Sequence, residues 1–290
     1  MYKRQLIGNL LFLPPEPFLS SATITSGVSL LTNGIGGMAR IQIDLGSVGS
    51  KYDCLLGANL HPRVPSDRHV LIKRLRLWIN ADGFISPLDG HNLHSFTHNP
   101  TAQWIFVANA GDNRTVTVQL DMDMLDGLNT VVMRLSRPDK PTKSGRELPT
   151  VCDVRLIMRF DLEDRSFHSE TIRNNGSDYH FNHHTTSLPD GIGFNFAPAA
   201  DRGVRVYATS GIYHAQSEWS LGIPHPIEVD RGQSPTGDAW SPGWFDLPLT
   251  HGQVHTIVAC ADKENPTPTI ITNFIAVSYT HLTLPTNREV

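Results

Sequence analysis

Cysteine is scarce in this chain: Cys54, Cys152 and Cys260 are the only three among 290 residues. Their number is odd and their spacing wide. That excludes a disulfide-framed secreted fold and a CxxC metal knuckle. Each sits near apolar neighbours and reads as a small buried hydrophobe. Such usage fits a reducing compartment, so a cytoplasmic location is expected. Positive charge is also short. Lys and Arg number 24 against 28 Asp and Glu, a formal net charge of -4. No basic field exists to condense on phosphates, and no Lys/Arg run suggests an anionic membrane. Neither nucleic acid nor membrane is therefore an expected partner. The apolar run LIGNLLFLPP is too short to span a bilayer and is broken by Pro14 and Pro15. Sustained helical stripes of a dozen residues are missing as well.

What is present is strand patterning. The chain is 39% hydrophobic and 18% charged, with 23 Gly and 20 Pro spread along it. That is a globular composition rich in turns. In TVTVQLDMDML, Val116, Val118, Leu120, Met122 and Met124 alternate with polar residues, the period of a strand with one face buried. Asp126-Gly127 then supplies hairpin chemistry before TVVMRLSR. Val154, Leu156, Met158, Phe160 and Leu162 alternate in the same way, and short strands follow around Phe194, Phe196, Val204 and Val206. RPDKPTKSGRELP is polar and broken by Pro and Gly, a surface loop. Many strands at short spacing predict an all-β fold: one large antiparallel β-sandwich, in a single domain.

The two ends carry a different signal. MYKRQ and VSYTHLTLPTNREV back-translate to one DNA element in opposite orientations, the pattern of a transposon-end sequencing adapter. Residues 1–5 and 277–290 are therefore expected to be translated adapter, with a natural segment of 6–276 between them.

Four stretches are rich in groups that do chemistry. LTNGIGGMARIQI has glycines but lacks GxGxxG spacing, so a tight turn entering a strand is expected. SKYDCLLGANLHP reads as strand and turn. DLEDRSFHSETIRNNGSDYHFNHH holds Asp161, Glu163, Asp164, Arg165, His168, Glu170 and Arg173. Two carboxylates about 5–9.5 Å apart can hydrolyse a glycosidic bond. The commoner arrangement is an Arg–carboxylate network closing a strand end, with Asp164 and Glu170 paired to Arg165 or Arg173. His180, His183 and His184 match no helix-borne zinc spacing, so a solvated loop and no metal are expected. EWSLGIPHPIEVDRGQSPTGDAWSPGWFDLPL places Trp219, Trp240 and Trp244 among Glu228, Arg231 and Asp238. Flat aromatics beside hydrogen-bonding groups suit a sugar ring, though large aromatics are more often core or interface residues. Arg231 is expected to clamp Asp238 or Glu228, while Pro242 and Gly243 fix a turn that holds Trp240 and Trp244.

In this order the four stretches resemble the N-terminal domain of glycogen debranching enzymes of the amylo-α-1,6-glucosidase family. LLTNGIGGMA resembles its Thr-Asn-Gly…Gly-Gly turn. SKYDCLL resembles its Arg-Lys-Tyr-His-Gly-Leu-Leu strand, with Asp53 and Cys54 in place of His-Gly. MRFDLEDRSFHSET resembles its Arg-Asp-Phe-His strand end. EVDRGQSPTGDAWSPGWFDLPL resembles its Glu…Arg-Gly…Pro-Gly-x-Phe stretch, with Gly237 where an acid is common. The resemblance implies a β-supersandwich followed by an (α/α)6 barrel that carries the catalytic carboxylates for α-1,6 branch points. It places those residues outside this chain, so no catalytic residue and no cofactor is assigned within it. The implied partners are that C-terminal barrel and a branched α-glucan. Trp219, Glu228, Arg231, Asp238, Trp240 and Trp244 are the candidates for glucan contact or the barrel interface. Asp164, Arg165, His168, Glu170 and Arg173 are candidates for a structural network. Alternatives from the same residues are a stand-alone carbohydrate-binding sandwich and the N-terminal sandwich of a glucoamylase or disaccharide phosphorylase.

Overall fold

The computed structural model describes residues 27–61, 63–64, 67–99, 101–138 and 146–271. The ends read as adapter, and the centre of the RPDKPTKSGRELP loop, lie outside them. In chain order the first strands are β1 (Val28–Thr32), β2 (Met38–Gln42), β3 (Cys54–Asn59), β4 (Arg68–Ala81), β5 (Phe84–Pro87) and β6 (Leu93–Asn99). Then come β7 (Thr101–Asn109), β8 (Arg114–Met124), β9 (Thr130–Ser136), β10 (Arg146–Glu147) and β11 (Val154–Ser166). Helix α1 (Asn175–His183) separates these from β12 (Thr185–Ser187), β13 (Gly193–Ala199), β14 (Arg202–Ala208), β15 (Ile212–His214) and β16 (Glu218–Pro224). The short helix α2 (Pro226–Val229), then β17 (Thr236–Ser241), β18 (Trp244–Pro248) and β19 (Val254–Cys260), complete the order.

The strands form two sheets. The first runs β1-β2-β3-β4-β11-β17-β16, with β5 beside β4, β18 beside β11 and β15 beside β18. The second runs β12-β13-β14-β19-β9-β8-β7-β6, and β10 joins β8 in parallel. All other pairings are antiparallel among the described residues, so this is the expected antiparallel sandwich. The inward residues follow the period-two pattern. Leu75, Leu77 and Ile79 of β4 and Leu156, Met158 and Phe160 of β11 meet Phe106, Val118, Leu120 and Met133 in one continuous core. Fully burying each such side chain stabilises by about 1.5–3 kcal/mol before conformational entropy is counted. Trp104 sits wholly inside and donates its indole N–H to the Ile43 carbonyl at 3.0 Å, tying the second sheet to the first.

Helix α1 departs from the expected loop. Asn174 accepts from the Ser177 N–H at 3.0 Å, and Ser177 Oγ accepts from the Asn174 N–H at 2.7 Å, a reciprocal cap that starts the helix. Nine residues with Phe181 as the one buried side chain leave no stripe for a periodicity argument to find. Its anchor is the stack of Phe181 on Phe196 and Trp240.

Candidate functional site

The outer face of the first sheet, turned away from the core, collects three of the four stretches. Along β11 the residues Arg155, Ile157, Arg159, Asp161, Glu163 and Arg165 alternate with the core set. On β4, Ile72 pairs with Leu162 and Arg74 with Asp161, so Lys73 is an extra residue, a β-bulge. Bulges re-aim side chains. Here both Lys73 and Arg74 reach the outer face: Lys73 Nζ meets the carbonyls of Ser50 and Lys51, and Arg74 Nε meets Asp161 at 2.6 Å.

At one end of this face the Ser50–Asp53 turn is sealed against the sheet. Glu228, wholly buried on α2, accepts from Ser50 Oγ and from the Lys51 N–H, both at 2.8 Å. Arg165 donates to the Lys51 carbonyl at 2.6 Å and pairs with the buried Glu163 at 2.9 Å. Lys51 Nζ reaches the His168 carbonyl at 3.0 Å and Glu170 at 2.9 Å. Asp53 accepts the N–H groups of Gly49 and Ser50, takes a bond from Gln42 at 2.7 Å, and pairs with Arg40. Burial lowers the Lys73 ammonium to about 8 against the opposing pull of Glu163, and burial raises the Glu163 carboxyl. A void of about 10 Å³ beneath this turn, lined by Arg40, Gln42, Asp53, Cys54, Lys73 and Arg74, has room for about one water and none for a sugar.

Asp164 faces the other way, toward the seam between the sheets. It accepts from His69 at 2.6 Å, from His180 at 2.9 Å, and from Arg202 at 2.7 and 3.1 Å. Burial alone would raise this carboxyl, but the bonds from His69 and Arg202 hold it well below the usual carboxylate range. The expected pairs of Asp164 and Glu170 with Arg165 or Arg173 do not form. Asp164 pairs with Arg202, Glu170 with Lys51, Arg165 with Glu163, and Arg173 with Asp178 at 3.4 Å. Side-chain parity explains the exchange: residues 164 and 165 sit on opposite faces of β11. The His168 ring lies 3.3 Å from the Tyr52 hydroxyl. His180 turns to Asp164, while His183 stacks on Tyr179; among the described residues no group of His, Cys, Asp and Glu is placed to hold a metal.

The tryptophan stretch is mostly strand. Pro242 and Gly243 break β17 from β18, and a Cβ at Gly243 would lie 2.1 Å from the His214 carbonyl oxygen, so only glycine fits. Trp240, before the break, faces the core at 3% exposure and stacks on Phe181 at 5.5 Å. Trp244, after it, is half-buried on the outer face, stacked on His214 at 4.1 Å, with its indole N–H on Gln216 at 3.2 Å. Trp219 packs edge-on against Phe181 and donates to Asp178. Arg231 is exposed and 3.8 Å from Glu228. Asp238 accepts the N–H groups of Arg173 and Gly222, both at 2.8 Å, and not Arg231. Gly237 leaves space for His225: a Cβ there would sit 2.9 Å from His225 Cε1.

Sequence reasoning missed a set of three asparagines at the end of the sandwich. Asn33, in the TNGIGG turn, donates to the Leu128 carbonyl at 2.9 Å and to Asn129 Oδ1 at 3.1 Å. Asn129 also accepts from the Asn59 N–H and donates to the Asn59 carbonyl. Three turns distant in sequence are thereby locked, and no local signal marks 33, 59 and 129 as neighbours. His225 and Lys73 were missed for the same reason.

Fold and site together define a large two-sheet antiparallel sandwich whose ionisable groups are mostly held in internal networks, a scaffold class. The chain belongs to the family described as glycogen debranching enzyme N terminal, whose model matches residues 29–256. No curated protein sequence matches it. Similar solved structures include a bacterial glucoamylase complexed with acarbose, at 8% identity and a TM-score of 0.44, over 97% of this chain and 39% of that one. Another is a putative kojibiose phosphorylase from human microbiome, at 8% identity and a TM-score of 0.31, over 89% of this chain and 32% of that one. The chain thus spans about two fifths and one third of those two proteins.

Proposed function

We propose that this chain is the accessory domain of a cytoplasmic amylo-α-1,6-glucosidase acting on branched α-glucan. In this reading it packs against a catalytic (α/α)6 barrel, helps position the glucan, and hydrolyses nothing itself. The observation that carries the last point is the state of the carboxylates. A glycosidase needs two of them free to flank a bound sugar, about 5–9.5 Å apart. Asp161 instead accepts from Arg74, Arg76 and Ser220 at 0% exposure, Asp164 from His69, His180 and Arg202, and Glu228 from Ser50 and Lys51. Family membership supports the rest, and the three free thiols are compatible with a reducing compartment.

Three exposed apolar side chains lie in this region: Leu221 on β16, Val229 on α2 between β16 and β17, and Ile172 on the segment bonded to Asp238 of β17 through Thr171 and Arg173. They suit a surface covered by the barrel. The test is to incubate the chain with a branched dextrin and assay free glucose. None is expected. Turnover that disappears in Glu170→Gln would overturn the assignment, because Glu170 is the least buried carboxylate of the Lys51 network.

A further inference from the structure

We infer that the open half of the first sheet's outer face is a binding platform for an α-glucan chain, formed by Trp78 and Trp244 with Arg76, Arg159, Glu218 and His214. Cross-strand register puts these groups together. Arg76 pairs with Arg159, Arg159 with Trp244 and Trp244 with His214, so one row crosses four adjacent strands. Trp78 lies two residues along β4 from Arg76, on the same face. Strand spacing and rise place the two indole-bearing positions roughly 12 Å apart. Two flat rings so placed meet two sugar rings of one oligosaccharide, not the same ring twice.

The rings are held before any ligand arrives. The Arg76 guanidinium lies 5.5 Å from the Trp78 ring centroid and is fixed by Asp161 and Glu218, both at 2.7 Å. Arg159 donates to the Gln216 carbonyl at 3.1 Å and lies 3.5 Å from Glu218, while His214 backs Trp244. Pre-organisation of this kind lowers the entropy lost on binding. On this half Arg76 and Trp78 of β4, Arg159 of β11, and Trp244 and Asp246 of β18 remain partly exposed, while Asp161 is buried.

Charge selects the ligand class. Arg74, Arg76 and Arg159 stand against Asp161 and Glu218, and Arg155 is paired with Asp246 at 2.7 Å, so no field of one sign extends over the face. A polyanion or an acidic peptide finds little steering there. A neutral polyol finds planar apolar surface for its C–H faces, with donors and acceptors in alternation for its hydroxyls. Family membership makes that polyol an α-glucan. The inference rests on the functional reading above but is tested apart from it, since a hydrolytically inert chain can either bind glucan or not.

The test is electrophoresis of the chain through native gels with and without glycogen, using dextran gels as the α-1,6-linked control. Glycogen should retard the chain more than dextran does. Trp78→Ala and Trp244→Ala should each weaken binding about tenfold, the scale of one lost aromatic contact. Trp244→Tyr, which keeps a flat ring, should retain most of it. If an alanine variant fails to fold, maltoheptaose titration of the unaltered chain still reads the site, as a saturable shift in tryptophan emission. Absence of both retardation and emission shift overturns the inference, and so does retardation that persists in folded Trp78→Ala and Trp244→Ala. Both results would leave the proposed role as an accessory domain standing.

Discussion

The two halves of one sheet face have opposite fates. At the Lys73 end, the Ser50–Asp53 turn and α2 close over the strands, and Lys51, Lys73, Glu163, Arg165 and Glu228 are all buried. At the Trp78 end the same strands β4 and β11 carry arginines and a tryptophan that remain partly exposed. Charged residues are abundant at both ends, so composition does not separate them. The difference lies in what covers them. A buried charge persists only with partners for its donors and lone pairs, and the sealed half supplies those from backbone carbonyls and amides of the turn. The open half anchors Arg74 and Arg76 on the buried Asp161, and its remaining pairs, Arg155–Asp246 and those of Glu218, stay partly exposed, where ion pairs contribute little and aromatic surface stays available. Chemistry-bearing residues gathered at the sealed end therefore describe how the domain is built. Those at the open end describe what it can touch.

Breaking the sealed half should produce the largest effect. Glu228→Ala leaves Ser50 Oγ and the Lys51 N–H without their acceptor, beside the cations of Lys73 and Arg165. A loss of about 3–5 kcal/mol in the urea unfolding free energy is expected. A loss under about 1 kcal/mol would mean that the turn is held mainly by Arg165 and Lys73.

His225 sharpens the comparison through pH. It is 1% exposed, and neither ring nitrogen has a hydrogen-bond partner among the described residues. Burial, with Lys73 nearby, lowers it to about 4, whereas an unfolded histidine titrates near 6.5. Between those values only the unfolded chain takes up the proton. Its contribution is thus fully present above about 6.5 and is lost as the pH falls through about 4, on the order of 3 kcal/mol in all. In His225→Leu the slope of stability between pH 6.5 and 4 should flatten relative to the parent chain, with little change at pH 7. Equal slopes in the two proteins would show that His225 does not titrate against burial.

Arg231→Ala should have the smallest effect. Its side chain is 59% exposed and 3.8 Å from Glu228, so removing it should shift stability by less than about 0.5 kcal/mol. A shift near that of Glu228→Ala would extend the sealed network out to the surface and erase the distinction drawn here.

Alternation alone determined the strands of the core. Val116 to Met124 on β8 and Val154 to Leu162 on β11 are buried at every second residue, as their pattern requires, because side chains in a strand point to opposite faces. The same rule put Asp161, Glu163 and Arg165 on one face of β11 and Asp164 on the other. Which partners they would find was not legible. Asp164 meets an arginine 38 residues away and Lys51 a glutamate 119 residues away, contacts set by how two sheets, a bulge and a capped helix come together. The two tryptophans show the same division. Sequence placed Trp240 and Trp244 four residues apart beside Pro242 and Gly243. Only the tertiary structure turned one into the core and the other outward, because the register against β11 slips by one residue, with Trp240 opposite Leu162 and Trp244 opposite Arg159, which reverses the side-chain parity between them.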